Sequence, residues 1–439
     1  MFLAGSAAPA LAVQPPQVII GALPADDPPG PEAPTKQDKG CLAVGVLPNS
    51  DLTQTPQPER ALDLQRARSL SRGGGVTVAV IDTGVSPNPR LPNLSGAGDY
   101  VQTGGDGLSD CDAHGTLIAG IIGAAPDPAD GFAGVAPDAH IISLRSRSGA
   151  FSPAQGGASV DQGQQAALDV RTLARAITHA ANLGAQVITI SMPSCLPADL
   201  GVDQSVLSAA IGYAVHVRGA LIVAGAGDTS ASGCEQNPEI DPGRPTDPRN
   251  WDNVKTISIP GWFGDVLTVG YTTATGDPIS ESLTGPWVSI AAPGTGVESL
   301  GPGGGGLINA VGEPGKLTAV GGASFAAAYV SGVAALVRSR YPDETPGEIA
   351  ARLAAGAHAP ARGIDNAVGA GMIDPAASLS FRTPPQPPAG VFRGAPLPVP
   401  VPPRAKDSRP GRVAAYLVAG ALLLGVAVRV VPTVTRQRR

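Results

Sequence analysis

The chain of 439 residues is 43% hydrophobic and only 15% charged, with 58 glycines, 45 prolines and few aromatic residues. This length suffices for one large domain or two smaller ones plus tails, and the composition predicts a core of Ala, Val, Leu and Ile between helices and a sheet. The formal net charge is −6, but eight basic residues and one acidic residue from Arg404 onward leave −13 on the residues before them. An acidic body with a basic tail excludes nucleic acid as the expected partner and indicates a tail near a membrane.

The cysteines of the chain are Cys41, Cys111, Cys195 and Cys234, and none of them stands in a C-x-x-C spacing. Four cysteines allow three alternative pairings, which the residues alone leave open. Only five histidines are present, so we expect no zinc site, no other metal and no cofactor. Two disulfides formed in an oxidising compartment are the better interpretation.

Residues 1–12 are small and apolar, and they end in Ala-Leu-Ala, which resembles a signal-peptidase site. No Lys or Arg precedes Lys36, so we interpret residues 1–12 as the remnant of a signal peptide whose start codon lies upstream. Residues 13–59 are rich in proline and acidic residues, and they predict an N-terminal arm without a regular core. A disulfide through Cys41 would tie this arm to the body.

Residues 60–380, the body of the chain, alternate β-rich apolar runs with helical stretches. Such runs are typical of parallel strands buried on both faces, and they predict strands at residues 76–81, 140–144, 186–190, 220–223, 266–269 and 287–290. Residues 170–183 and 204–218 predict helices, whereas residues 146–168 and 301–315 predict exposed loops. The alternation predicts an α/β fold, a parallel sheet with helices on both faces, whose functional residues lie at the carboxyl ends of strands.

The C-terminal part begins with residues 381–411, where prolines predict a semi-rigid extended linker. Residues 413–428 are uncharged, a run just short of the ~17–25 residues that a membrane-spanning helix needs. Arg429 can reach the interface with its long side chain, and the two valines after it extend the run. A buried core helix is the alternative, but this run stands isolated after the linker.

We therefore predict a transmembrane helix over residues 412–431, in contact with the lipid bilayer through residues 413–431. The basic residues 432–439 predict a cytoplasmic tail, because positive charge flanks membrane helices on the cytoplasmic side. The body is then expected on the outer, extracytoplasmic side of the cell membrane.

Ser324 precedes a run, residues 325–337, that is apolar almost all round and has helical length. A helix of this kind is buried rather than amphipathic. Ser324 is thus predicted at a buried helix N-terminus, where unpaired N–H groups and the helix dipole favour negative charge and can stabilise an oxyanion. A simple helix cap is the alternative for an isolated serine.

Two further residues complete a catalytic pattern. Asp82 ends the first predicted strand in Val-Ile-Asp-Thr-Gly, and His114 precedes another apolar run in Asp-Ala-His-Gly-Thr. Acyl transfer requires a hydroxyl that attacks, an imidazole that takes its proton and a carboxylate that orients the imidazole. Asp82, His114 and Ser324 supply these groups in the chain order of subtilisin, not in that of chymotrypsin or the α/β-hydrolases.

The blocks around these three residues resemble the signature blocks of subtilisin-like (S8) serine proteases, and the resemblance covers about residues 60–380. Within that superfamily the chain is similar to the mycosins, membrane-anchored proteases of actinobacterial type VII secretion systems. Their features are matched by Asp-Cys-Asp-Ala-His-Gly-Thr around His114, by Gln-Asn-Pro at 236–238, by Asp-Pro-Arg-Asn-Trp at 247–251 and by Phe-Ala-Ala-Ala-Tyr-Val-Ser-Gly-Val after Ser324. The cysteine-bearing arm and the C-terminal helix are further shared features.

The mycosin resemblance implies a membrane-anchored serine endopeptidase that cleaves secreted protein or peptide substrates through Asp82, His114 and Ser324. It also implies type VII secretion membrane components as partners, and the disulfides Cys41–Cys111 and Cys195–Cys234. The first disulfide would strap the arm beside the histidine. The alternative function is a mainly structural subunit, which stabilises the secretion membrane complex with weak or no proteolysis.

Asp228 departs from the pattern of this superfamily, which usually carries Asn at the matching position as a donor to the oxyanion. An ionised carboxylate has no donor and would repel the negative oxyanion. Asp228 could help only if it is held protonated, as burial near other negative charge can do; the alternative is that the Ser324 backbone N–H acts alone. Loss of that donor in subtilisin costs roughly 10²–10³ in turnover. Gly-Ala-Ser at Ser324 replaces the usual Gly-Thr-Ser, a change expected to affect packing. We expect a slow protease rather than an inactive one, since residual catalysis survives the loss of single parts.

Six residues match the positions that line the substrate groove of this superfamily, and their small side chains would let an extended peptide pair with the backbone. They are Ser191, Met192, Pro193, Ala224, Gly225 and Ala226. Two other histidines, His140 and His179, have no partner motif and predict structural roles. Asp110 and Asp112 precede His114 and could tune it, but we expect them to be exposed acids of a loop.

Overall fold

The computed structural model describes residues 13–154, 161–231, 233–244, 246–361, 363–383, 385, 416–419 and 421–422. The chain divides into two units, Met1–Val399 and Pro400–Arg439. Residues 416–419 and 421–422 are helical, and no helix among the described residues is long and apolar enough to cross a membrane. The predicted signal remnant, most of the linker and of the predicted transmembrane helix, and the basic tail lie outside the described residues.

The described part of the first unit contains β-strands, α-helices and two short helices of other types. The strands are β1 (Thr35–Gln37), β2 (Ala43–Gly45), β3 (Thr77–Asp82), β4 (Leu94–Asp99), β5 (His140–Arg145), β6 (Phe151–Pro153), β7 (Val187–Ile190), β8 (Ser194–Pro197), β9 (Leu221–Gly225), β10 (Thr256–Ile259), β11 (Val266–Thr272), β12 (Val288–Pro293), β13 (Ser299–Leu300), β14 (Leu307–Ile308), β15 (Ala310–Glu313) and β16 (Lys316–Ala319). The helices are α1 (Gln57–Ala61), α2 (Leu64–Leu70), α3 (His114–Gly123), α4 (Gln162–Asn182), α5 (Ser205–Gly212), a π-helix (Tyr213–Val217), a 3₁₀ helix (Trp251–Asn253), α6 (Ala323–Arg340), α7 (Pro346–Gly356) and α8 (Pro375–Ser378).

The central sheet of the described residues has seven strands in the order β12-β11-β9-β7-β3-β5-β4, and every neighbouring pair is parallel. The predicted parallel sheet is confirmed, and its six predicted strands are found to within a few residues. The seventh strand, β4, was not predicted. Its sequence Leu-Ser-Gly-Ala-Gly-Asp lacks the β-branched residues typical of strands, and it forms because it pairs along the edge of β5.

The core lies on both faces of this sheet because successive side chains of a strand point to opposite faces. In β3, Val78 and Val80 pack in one hydrophobic cluster together with α3 and α6. Ala79 and Ile81 pack in a second cluster together with α4 and α5. The predicted arrangement of helices on both faces is therefore confirmed, and the apolar helix α6 is buried at the centre, as its sequence predicts.

Two segments predicted as loops contain more regular structure than expected. Residues 301–315 include β14 and β15, and Gly303 and Gly304 form a tight turn with φ values of +72° and +74°. A run of glycines thus marks a turn that requires positive φ. Within residues 146–168, β6 pairs with β1, and α4 already begins at Gln162, where the side chain of Asp161 caps it by accepting a hydrogen bond from the Gln164 N–H at 2.8 Å.

The N-terminal arm is attached to the rest of the unit by short strands and by one disulfide. β1 pairs with β6, and β2 adds to the β15–β16 hairpin. Cys41 is bonded to Cys111, three residues before His114, and a second disulfide joins Cys195 to Cys234. These are the two pairings that the mycosin resemblance implies. The arm was expected to have no regular core, and its order comes from these pairings with the body.

We predict that the Cys41–Cys111 disulfide holds the arm in place. Replacing both cysteines with serine removes a link across 70 residues, and should lower the free energy of unfolding by about 2–4 kcal/mol. Trypsin should then cleave at the exposed Lys39. The matched control is the double serine variant of Cys195 and Cys234, which should lose stability while the arm stays attached and Lys39 stays uncleaved. Equal cleavage at Lys39 in both variants, read by mass spectrometry, would contradict this prediction.

Candidate active site

Three elements of the sheet and its helices bring Asp82, His114 and Ser324 together. Asp82 is the last residue of β3, His114 is the first residue of α3, and Ser324 lies in the first turn of α6. The Nδ1 atom of His114 lies 2.9 Å from Oδ1 and 3.0 Å from Oδ2 of Asp82. Its Nε2 atom lies 2.9 Å from Ser324 Oγ. The three side chains that the sequence singles out therefore form one continuous hydrogen-bonded chain.

Gly115 allows α3 to begin so close to β3. A Cβ at this position would lie 2.0 Å from the carbonyl oxygen of Gly84 and 3.1 Å from Asp82 Oδ1. Any larger residue would push the start of α3 away from the end of β3. The glycine of the His-Gly-Thr block is thus required for the 2.9 Å contact between His114 and Asp82.

The Asp82 carboxylate is fully buried, and groups from three elements donate to it. Besides His114, the Thr83 N–H donates to Oδ1 at 2.6 Å, and the Ser191 hydroxyl donates to Oδ2. Burial alone would raise the pKa of Asp82, but the charge and hydrogen bond of His114, helped by Ser191 and Thr83, hold this pKa below its ordinary 3.8. Asp82 is therefore ionised near neutral pH.

The pKa of His114 is shifted in the opposite direction to that of Asp82, upward. Burial would lower its pKa, but the charge and hydrogen bond of Asp82, together with the charges of Asp110 and Asp112, raise it above its ordinary 6.5. The side chain remains 21% exposed, and its ring lies 5.2 Å from that of Phe325. An imidazole made more basic by a buried carboxylate is suited to take a proton from a hydroxyl.

Asp110 is buried, which corrects the expectation of an exposed loop acid. Its Oδ1 accepts from the Thr83 hydroxyl at 2.9 Å, and its Oδ2 accepts from the Thr116 amide and hydroxyl at 2.9 and 2.7 Å. The Gly115 N–H donates to the same Thr83 hydroxyl. Asp110 thus joins the threonine after Asp82 to the first turn of the His114 helix. Burial raises the pKa of Asp110 to about 6.

Asp228 follows β9 and faces the space in front of Ser324. A Cβ placed on Gly322 would lie 3.6 Å from Asp228 Oδ2 and 4.0 Å from Ser324 Oγ. Asp228 Oδ1 accepts from the Ser230 amide and hydroxyl at 2.8 and 2.6 Å, and Oδ2 accepts from the Tyr271 hydroxyl at 2.9 Å. Burial, with the hydrogen bond to Asp228 and its charge, raises the pKa of Tyr271, so this phenol stays protonated and donates.

The groove residues expected from the sequence lie at the ends of the neighbouring strands β7 and β9. Ala224, Gly225 and Ala226 are buried, and a Cβ on Gly225 would lie 3.2 Å from the Ala323 backbone and 3.3 Å from the Ser191 carbonyl oxygen. Met192 and Pro193 are half-buried beside them. The Ser191 side chain, however, is directed at Asp82 and not at the groove, so it supports the carboxylate instead of offering a surface to a peptide.

The other candidate residues form hydrogen bonds outside the chain of Asp82, His114 and Ser324. His140 pairs with Ser95 Oγ at 3.0 Å, and His179 pairs with Asp26 of the arm at 2.8 Å, so both have structural contacts. Asp112 accepts hydrogen bonds from Ser148 and Gly149 and orders the segment after β5. Within the described ranges, no group of three or more His, Cys, Asp or Glu side chains could hold a metal ion.

Comparison with known proteins identifies the family. Residues 73–371 match the model of the subtilase (peptidase S8) family. The chain is 48% identical to Mycosin-1 of Mycolicibacterium smegmatis over 425 residues, which cover 95% of this chain and 92% of the relative. This chain belongs to the mycosins of the subtilase family. Mycosins are subtilisin-like serine proteases, and so is this chain.

Solved mycosin structures agree with the fold. The crystal structure of MycP1 from the ESX-1 type VII secretion system superimposes with a TM-score of 0.82 at 47% identity, covering 87% of this chain and all of that one. A chain in the structure of an intact ESX-5 inner membrane complex superimposes with a TM-score of 0.81 at 49% identity, covering 96% of this chain and all of that one. The subtilisin-like α/β architecture of this mycosin is thus shared by its solved relatives.

The pKa of His114 gives a direct test of the buried Asp82 contact. Because the Asp82 charge raises this pKa, Asp82→Asn should lower it, so that the imidazole loses its proton at a lower pH than in the unchanged chain. We would follow the ¹⁵N chemical shifts of labelled histidine against pH in two variants, one with Ser324→Ala alone and one that also carries Asp82→Asn. His216, which pairs with Asp265 elsewhere, serves as an internal reference. An unchanged titration of His114 would show that Asp82 does not set its pKa.

Proposed function

We propose that this mycosin is a serine endopeptidase in which Ser324 attacks the scissile carbonyl. His114 takes the proton of the Ser324 hydroxyl and later gives it to the leaving amine, and Asp82 orients His114 and stabilises the imidazolium. The observation that carries this proposal is the hydrogen-bonded chain from Asp82 through His114 to Ser324, with both nitrogens of the imidazole in use. Ser191 and Thr83 act as positioning residues for Asp82.

The oxyanion of the tetrahedral intermediate is proposed to lie at the N-terminus of α6. Backbone N–H groups in the first helical turn have no acceptor within the helix, and the helix dipole favours negative charge there. Asp228 supports this site less than an Asn would, because a carboxylate has no N–H to donate. Tyr271 and Ser230 direct their hydrogen bonds at this carboxylate. We infer a slow enzyme whose oxyanion relies on backbone donors.

The substrate is proposed to be an extended protein or peptide segment that pairs with the backbone of two chain segments. These segments are residues 191–193 after β7 and residues 224–226 at the end of β9. The small side chains at the end of β9 would let an extended peptide approach this segment closely. Met192 and Pro193 are half-buried and provide an apolar border for the side chains of the substrate.

The location and partners are proposed from the relatives. A close relative in sequence and fold is part of an intact ESX-5 inner membrane complex, and MycP1 belongs to the ESX-1 type VII secretion system. We propose that this chain likewise joins a type VII secretion membrane complex with its body on the extracytoplasmic side. The uncharged run of residues 413–428 is proposed to anchor it in the bilayer as a single transmembrane helix.

A mainly structural role is the second candidate, and Asp228 is the observation that favours it. A carboxylate beside the oxyanion position lowers the catalytic capacity of the site, whereas the fold and anchor would stabilise a membrane complex without cleavage. The two functions are compatible in one chain. Ser324→Ala separates them, since it removes one hydroxyl and leaves the fold intact.

We predict that a fluorophosphonate probe labels the purified full-length chain at Ser324. The probe reacts only with an activated serine, so labelling should disappear in Ser324→Ala and fall strongly in His114→Ala. In cells lacking the native chain, Ser324→Ala should assemble into the membrane complex, as read on native gels, while the processed form of a secreted substrate is lost. Full processing with Ser324→Ala would assign the chain to the structural role.

The role of Asp228 is tested by Asp228→Asn. The new amide nitrogen would take the place of Oδ2, where one hydrogen can meet Tyr271 and the other can face the oxyanion. We expect the labelling rate to rise by roughly 10-fold to 100-fold. Glu281→Gln removes the same charge from an exposed carboxylate on the segment next to Asp228 and is the matched control, with little change expected. Equal rates for both variants would mean that charge alone matters.

A further inference from the structure

A cavity of about 290 Å³ lies between the N-terminal arm and the body of this mycosin, apart from the triad. The arm and α1 contribute Asp51, Gln57 and Arg60, and the body contributes Glu298, Asn309 and Val320. The apolar wall residues are Val320 together with Leu47, Leu52, Pro56, Gly296, Val297 and Ala319, and Ser50, Gln54 and Thr55 are further polar lining residues. The cavity therefore combines an apolar wall with polar and charged groups in similar number.

Glu298 is the unusual member of this lining. Its residue surface is only 8% exposed, and its Oε1 atom has no hydrogen-bond partner among the described residues. A buried carboxylate without a donor is costly, so such groups normally have a partner. Nearby, the hydroxyl of Tyr329 in α6 is also buried and lacks a partner within the described ranges.

The neighbouring charges do not supply this partner. Three of the charges that act on Glu298, those of Asp130, Glu59 and Asp51, are negative, and Asp130 and Glu59 are themselves paired with Arg90 and Arg68. The exposed Arg60 donates to the Thr55 carbonyl oxygen. The charged residues that line the cavity are Asp51, Glu298 and Arg60. With both carboxylates ionised, their sum is one negative charge.

We propose that this cavity binds an alkyl ammonium or alkyl guanidinium group, whose cationic end pairs with the Glu298 carboxylate. The apolar wall suits the methylene stem of such a group, which stays in contact with apolar surface while its charged end seeks polar partners. A metal ion fits less well, since no three carboxylate, thiolate or imidazole side chains of the described residues converge. A lysine or arginine side chain of a protein and a free alkyl cation share this chemistry.

The position of the cavity connects it to the proposed catalytic residues. Val320 is four residues before Ser324, and the Gly322 N–H donates to the Gly294 carbonyl oxygen, two residues before the cavity-lining Gly296. On the other side, Ser299 follows Glu298 and donates to the Leu117 carbonyl oxygen in α3. An occupant would contact both the segment before Ser324 and the segment packed on the His114 helix.

The cation site should depend on pH. Burial raises the pKa of Glu298 to about 7, with the charges of Asp130, Glu59 and Asp51 adding to this effect and that of Arg60 opposing it. The buried Tyr329 hydroxyl is neutral in this range, because its pKa is raised. The cation pairs with the ionised carboxylate, so its affinity should increase with pH and be roughly tenfold weaker at pH 6 than at pH 8.

The test is isothermal titration of the purified full-length chain with agmatine, with the peptide acetyl-Gly-Lys-Gly-amide and with its norleucine counterpart as the neutral control. We expect a cationic probe to bind, norleucine to fail, and Glu298→Gln to weaken binding by roughly tenfold or more. Glu313→Gln, an exposed acid on β15, should leave affinity unchanged. Binding of agmatine would identify a site for free alkyl cations, and binding of the lysine peptide alone would identify a site for a protein side chain.

Failure of both cationic probes, or equal affinity in Glu298→Gln, would overturn the proposal. If Glu298→Gln does not fold, binding of the cationic probes is measured instead with Asp51→Asn and with the unchanged chain at pH 6 and pH 8. Affinity of the unchanged chain that is equal at the two pH values excludes Glu298 as the partner. These measurements record binding and not peptidase activity, so their failure would leave the proposed function standing.

Discussion

The site of this mycosin depends on one fully buried carboxylate at the end of β3. Asp82 is desolvated, which on its own would favour the neutral acid. It stays ionised because donors from three places meet on its two oxygens: His114 at the start of α3, Ser191 after β7 and the adjacent Thr83 amide. The same contacts fix the ring of His114, so the geometry at Ser324 follows from a carboxylate that the sheet holds in one position.

A second buried acid shows how the elements around Asp82 are kept in register. Asp110 bridges the Thr83 and Thr116 side chains, which belong to the Asp-Thr-Gly and His-Gly-Thr blocks. Thr83 follows Asp82 by one position and Thr116 follows His114 by two. Their hydrogen bonds to Asp110 therefore link the end of β3 to the start of α3. Because Cys111 is the next residue and is bonded to the arm, the arm restrains the loop that carries Asp110.

The sequence predicts most of the sheet and the three residues of the proposed triad because their signals are local. A strand end at Asp82 and the starts of buried helices at His114 and Ser324 are each visible within about ten residues. The remaining features depend on contacts that no local pattern encodes. Strand β4 exists through its edge pairing with β5, and Tyr271 reaches Asp228 across 43 residues through neighbouring strands. Asp110 resembles any acid in a loop until Thr83, 27 residues away, comes into contact with it.

The backbone of α6 contributes to the electrostatic field at Ser324. Helix α6 is buried almost throughout and carries no acidic or basic side chain before Arg338, so its N-terminal dipole is uncompensated by charges of its own. Asp228 lies near this N-terminus, where Tyr271 and Ser230 donate hydrogen bonds to its carboxylate. The site thus combines a complete hydrogen-bonded chain from Asp82 through His114 to Ser324 with a carboxylate, Asp228, near the start of the helix that carries the serine.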